Sequence, residues 1–269
     1  MNPLEYGTFL WKSHRGLILF AFLFFAGMEF LIITLITTID TAPIISAILD
    51  QLPPRLKMIF NQEFLTRFSI KGAIAFGFNH PLVLAVLSLV SITLTARHVA
   101  GEAESGTLEL LLSYPLKRSR FILTLWSVLA IFLLFIVCGG WLGSILALLV
   151  YQQFGLEYLA GILKVGGNLW LLFILIMSYS LLISTFDREG GKAGTRSAAI
   201  TLIFYFLHFI SSIWERIDWT KPLNIFSYYL PQKLMFGERS FWVNALVLLA
   251  AISICLLGSI IQFSRRDIP

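Results

Sequence analysis

At 269 residues, with 58% apolar and 13% charged side chains, a formal net charge of +5 and a pI near 9.3, the sequence is not that of a water-soluble protein. Globular chains average about 45–50% apolar and about 25% charged residues, and 20 basic with 15 acidic groups could not cover a soluble fold that also hides 24 Phe and 7 Trp. The composition excludes disorder, a secreted disulfide scaffold and a cytosolic enzyme, and points to an all-α polytopic membrane protein built as one domain. The basic residues are scattered among hydrophobic runs, as retention of Lys and Arg on the cytoplasmic side explains, so nucleic acid is not expected as a partner. Cys138 and Cys255 lie inside apolar runs and read as small hydrophobes.

Residues 1–15 mix Leu4, Tyr6, Phe9, Leu10 and Trp11 with Glu5, Lys12 and Arg15, a pattern that suits a short interfacial helix lying along the membrane. A crossing helix needs about 20 residues of low polarity. The first such run, 16–39, is interrupted only by Glu29, is too long for a signal-peptide core and lacks a small-residue cleavage site. Prolines at 43, 53 and 54 divide the following loop, where 44–52 and 55–68 have the mixture expected of short amphipathic helices. The remaining spans are expected at 77–96, 121–150, 165–186, 197–214 and 241–264. The uncharged run 121–154 exceeds the roughly 30 Å hydrocarbon core as a straight helix, so it must tilt, bend or project. Gly139 and Gly140 offer a bending point there, and Gly139 with Gly143 permits close helix packing. In the loop 215–239, Tyr228 and Tyr229, with Trp214 and Trp219, suggest re-entrant or surface helices. The balance of Lys and Arg favours both termini on the cytoplasmic side of the inner membrane.

The segment 97–120 carries the most information. Ser105 or Thr107 can cap a short helix with Glu109 in its first turn, Leu108, Leu111 and Leu112 fall on one face, and Pro115 disfavours continuation. Glu102 and Glu104 precede this helix, and Lys117, Arg118 and Arg120 then meet the headgroups. Such an element suits docking to a cytoplasmic partner; a surface helix that merely joins two spans accounts for the same pattern.

The run Gly101-Glu102, Ser105-Gly106-Thr107-Leu108-Glu109, Leu111-Leu112-Ser113 and Pro115, followed by basic residues, resembles the loop after the second of six spans in the type-2 ATP-binding-cassette (ABC) transporter permeases. The resemblance implies a six-span permease subunit of an exporter whose coupling helix sits in a groove of an ATPase subunit. Glu102, Glu104, Gly106, Thr107, Leu108, Glu109 and Pro115 would form that docking element. It further implies two ATPase subunits, a second permease copy or paralogue, and alternating access. The permease does no bond chemistry, and ATP and magnesium are held by the partner. No G-x-x-x-x-G-K-[ST] loop occurs; the nearest string, Glu189-Gly190-Gly191-Lys192-Ala193-Gly194-Thr195, lacks the hydroxyl after Lys and reads as a flexible cytoplasmic turn. The alternative is a membrane anchor or assembly protein that recruits a cytosolic partner without moving anything.

Glu29 and His208 fall at similar depth, near the middle of two spans running in the same direction. They are candidates for an intramembrane polar pair, within or across subunits, against the simpler reading that each is held separately. His80 and His98 sit a membrane apart, too far to share a metal, and read as interfacial residues; no metal site is expected. Ser144 lacks a G-x-S-x-G setting and reads as a packing residue. The Phe-rich run 20–25 reads as a lipid or core face, and an apolar interior favours an amphipathic or lipid-like cargo.

Overall fold

A computed structural model describes residues 3–39, 69–107 and 117–266. The expected surface helices at 44–52 and 55–68, and the coupling helix beyond Thr107 with Leu108, Glu109 and Pro115, lie outside the described residues. Within them the chain is helical, without strands, and six stretches are long and apolar enough to cross a membrane.

Helix α1 (Pro3–Thr38) is the first span. The expected interfacial helix is its first part, continuous with the crossing segment, because Tyr6, Leu10 and His14 recur every four residues and are all buried. Tyr6 meets the Phe121 ring at 5.8 Å, and Trp11 meets Phe132 and Phe135 at 5.8 and 5.7 Å.

The second span is two helices. Ser69 caps α2 (Ile70–Phe78), its hydroxyl accepting from Gly72 N at 3.2 Å. His80 caps α3 (Pro81–Ala96) through Nδ1, which accepts from Leu82 N at 3.3 Å, and Pro81 supplies the fixed φ of a first helical residue. His80 thus starts the second of the two helices. The span continues into a π-turn, Arg97–Gly101, and a single α-turn, Glu102–Glu104.

Helix α4 (Arg118–Val150) runs unbroken through Gly139 and Gly140. Its glycines serve contact with α1. A Cβ at Gly139 would lie 2.4 Å from Phe22 O, one at Gly143 2.2 Å from Ala26 O, and one at Gly140 2.6 Å from the Phe25 ring. Backbone therefore touches backbone between α1 and α4, which any side chain would prevent. Phe25 is enclosed in this seam, Phe22 stacks on Phe135 at 4.7 Å, and Phe20 is exposed, so the Phe-rich run divides between core and lipid faces.

Helix α5 (Leu156–Phe186) is covered on every side from Val165 to Thr185 and packs at the centre of the bundle, its first turns being exposed. Tryptophans pin it to α4: Trp141 Nε1 donates to Ile162 O at 3.1 Å, Trp170 Nε1 to Ala130 O at 3.0 Å, and Trp126 Nε1 to Ser178 Oγ at 2.8 Å. Helix α6 (Gly190–Ile213) follows, and it leaves much of its apolar surface uncovered. The next loop holds two 3₁₀ segments, Glu215–Leu223 and Ile225–Tyr228, and the short helix α7 (Pro231–Met235). Helix α8 (Phe241–Arg265) closes the bundle. At its end Arg266 caps the last carbonyls of α5, donating to Asp187 O at 2.8 Å and Thr185 O at 3.2 Å.

The glycine string after Glu189 differs from its expected form. It is the first turn of α6, preceded by a helix, because Gly190 packs directly on the π-turn: its Cβ would stand 3.1 Å from Gly101 Cα.

Candidate functional site

Two regions of the bundle combine polar side chains with shape. The first is the end that holds the termini, where the span formed by α2 and α3 leaves through its π-turn. His14 of α1 and His98 of the π-turn, 84 positions apart, face each other Nε2 to Nε2 at 2.8 Å with rings edge to face. Both are buried, at 6% and 4% exposure. His98 Nδ1 lies 3.6 Å from Glu102 Oε1, beyond hydrogen-bond reach, and one imidazole donates its Nε2–H to the Nε2 of the other, in the direction their tautomers set. Glu102 in turn accepts from the Thr107 hydroxyl, and Ser105 and Thr107 share a hydrogen bond at 2.8 Å. Gly106 between them has φ +72°, the left-handed region that favours glycine. Ser105 and Thr107 therefore turn back onto Glu102, so that a row of polar side chains runs from α1 through the π-turn to Thr107. Glu104 reaches the other way, accepting from the Gly190 N–H at 2.9 Å and tying the turn to the start of α6.

Of the residues that sequence reasoning assigned to ATPase docking, Glu102, Glu104, Gly106 and Thr107 thus lie together on one short stretch. His14 was not singled out there, and His98 was read as a lone interfacial residue. Their partnership spans two helices, and only the placement of one His near the inner end of each span could have suggested it.

The second region is at the opposite end. Glu29 is fully buried, and Ser144 Oγ donates to its Oε2 at 3.0 Å. Its carboxyl occupies the space a Cβ at Gly77 would need, 2.5 Å away, so α2 leans on it. Glu29 Oε1 and His208 Nδ1 have no hydrogen-bond partner among the described residues, so the two side chains are not joined to each other within one chain. His208 instead lies against the Phe226 ring, 6.4 Å between centroids. Glu29 lies about halfway between the centre and the far end of α1, and His208 nearer the far end of α6, because both helices begin before the apolar runs at the near end. Ser144, read as a packing residue, is the hydroxyl that satisfies Glu29. Tyr229 closes this corner, its hydroxyl donating to Phe78 O at 2.8 Å. Burial first, and the Glu29 carboxyl second, push the Tyr229 phenol well above its usual value, so it stays a donor.

Between these regions a groove of about 520 Å³ runs along α3 and α6, lined by Leu84, Ala85, Ser88, Ile92, Ala198 and Tyr205 among others. Leu84, Tyr205 and Phe226 also line a cavity of about 440 Å³ at the far end, with His208, Asn79, Gln232 and Lys233. The two share these three walls, the groove being the more apolar and the cavity the more polar. No group of three or more His, Cys, Asp or Glu capable of holding a metal occurs among the described residues.

The model of the ABC-2 family transporter proteins matches residues 11–268. No curated protein matches the chain.

Proposed function

The chain belongs to the ABC-2 transporter family and is a multi-pass membrane permease subunit, and from that premise we propose that it is the permease of an ABC exporter driven by separate ATPase subunits. The segment from Glu102 to Pro115 is the docking element, and both termini face the cytoplasm, where the basic residues 117, 118, 120, 188, 265 and 266 gather. Two ATPase subunits and a second permease, identical or paralogous, complete the machine.

The observation that carries the reading is the double tether at the base of this segment. The stretch that leads into it is held to α1 through His14–His98 and to α6 through Glu104–Gly190. A displacement of the docking element by ATP-driven closure of its partners would be passed to both helices. A π-turn is a suitable joint, since a one-residue insertion in a helix shifts at small cost. Helix α6 forms one wall of the groove and α3 the other, so a tilt of α6 relative to α3 widens or narrows the groove as a rigid-body change. The apolar groove and the more polar cavity suit an amphipathic cargo. ATP and magnesium belong to the partner's chemistry.

The test is reconstitution of the permease with its ATPase subunits in proteoliposomes. Glu109→Lys and Gly106→Pro are expected to leave the spans folded while breaking the link between ATP hydrolysis and transport. Wild-type stimulated hydrolysis and transport in both variants would reject this assignment of the segment. Retention of the ATPase with no cargo movement in the wild type under any condition would favour the anchoring alternative.

A further inference from the structure

At the far end of the bundle, between α5 and the start of α8, lies a further pocket of about 550 Å³, which shares Glu238 with the far-end cavity. We propose that it holds the head of a phospholipid that carries both a phosphate and a primary amine, with the acyl chains running down the outer face of α8.

The position is set by the packing of α5 and α8, which run side by side in the same direction. A Cβ at Gly167 would meet the Phe241 ring at 3.6 Å, and one at Gly258 would meet Leu182 at 3.2 Å. Lys164, one turn before Gly167, is therefore level with the residues that lead into α8. At 25 residues α8 is about 37 Å long, slightly more than the roughly 30 Å hydrocarbon core. Its first turn thus lies where hydrocarbon meets headgroups, and Trp242, 73% exposed, is a ring suited to that boundary. Leu246 and Leu249 below it are exposed and face the acyl chains.

The chemistry is set by three charges. Lys164, Glu238 and Arg239 line the pocket, and none forms an ion pair with another or with any other described residue. Two separated cations and one carboxylate around a single cavity match a phosphate and an ammonium: Lys164 and Arg239 take the phosphate, and Glu238 takes the amine. A head without an amine would leave Glu238 beside the phosphate with no N–H to accept. A choline head offers Glu238 no N–H to accept.

The experiment uses the full chain, stripped of lipid in detergent, with phosphatidylethanolamine, phosphatidylglycerol and phosphatidylcholine of identical acyl chains added singly. Binding is read by native mass spectrometry. The wild type is expected to hold phosphatidylethanolamine in preference to both others. Loss of one surface cation near a lipid phosphate weakens binding by about fivefold, so Lys164→Ala with Arg239→Ala should weaken it by roughly 30-fold. Lys164→Arg should retain it, and Glu238→Gln should narrow the preference over phosphatidylcholine. Folding of each variant is checked by thermal unfolding, and a variant that fails this check is replaced by Lys164→Gln or Arg239→Gln. Equal binding by wild type and the double variant would overturn the proposal, as would preference for phosphatidylglycerol or no discrimination among the three. None of these outcomes depends on whether the chain transports a cargo.

Discussion

Removing one imidazole from the His14–His98 pair should cost more than the hydrogen bond alone. Both rings are buried and meet at 2.8 Å. His14→Ala leaves His98 Nε2 without its partner, and stranding a buried polar atom costs about 1–3 kcal/mol. Contacts between helices in membranes average lower, about 0.6 kcal/mol, so the lower half of that range applies. Each Ala also removes packing, which a single variant cannot separate from the polar loss. The double variant does so: with both rings gone nothing is stranded, and its cost should fall short of the sum of the singles by about 1 kcal/mol. Unfolding of the four proteins in mixed micelles, followed by circular dichroism, measures this. His14→Gln, which keeps a hydrogen-bonding group, should recover part of the loss. Costs that add to within about 0.5 kcal/mol, with no rescue by Gln, would refute the pairing. If the pair also tethers the docking segment, the single variants should lower the ratio of transport to ATP hydrolysis, beyond any fall in folded protein.

The seam between α1 and α4 makes a sharper structural prediction. A Cβ at Gly143 would stand 2.2 Å from a backbone carbonyl that cannot rotate away, so Gly143→Ala should destabilise by about 1–3 kcal/mol in the same assay, and Gly143→Leu should leave little folded protein. At Glu29 the neutral isostere Gln can still accept from Ser144, so Glu29→Gln should change stability by no more than about 1 kcal/mol, whereas Glu29→Lys places an unpaired cation in a sealed site and should abolish folded yield. Ala85→Trp fills the apolar groove without touching the docking segment; transport should fall at least tenfold while folded yield and ATPase binding persist. Gly106→Ala forces a side chain into a left-handed turn at a cost of about 1–2 kcal/mol. Nothing crowds the added methyl, so its effect should fall on coupling rather than on yield.

The six spans were legible because hydrocarbon excludes charge: Lys, Arg, Asp and Glu mark where each run ends, and only Glu29 breaks the rule inside one. The segment proposed for docking stands out in the sequence because its acid, glycine and proline spacing is local. What the sequence did not disclose depends on distance between elements. The unbroken course of α1 from Pro3 follows from a partner elsewhere, α4 beneath Tyr6, whereas the break at Asn79–His80 is local, since Pro81 holds His80 in an extended conformation. Gly190 looked like a loop glycine because its neighbours are glycine and lysine; it is a helical residue because Gly101 and Glu104 lie against it. Likewise, His98 alone is an ordinary polar residue at a span end, and it becomes part of a site only when α1 brings His14 to it.

The central claim is that an ATPase docks on the segment that begins at Glu102. The most direct measurement places a photoreactive side chain at position 109 of the full chain in its native membrane, illuminates, and identifies the adduct. A covalent product with a subunit that binds ATP is expected, lost when residues 101–114 are deleted while the six spans remain folded. An adduct with a protein that binds no nucleotide, or an ATPase that stays bound after the deletion, would contradict it.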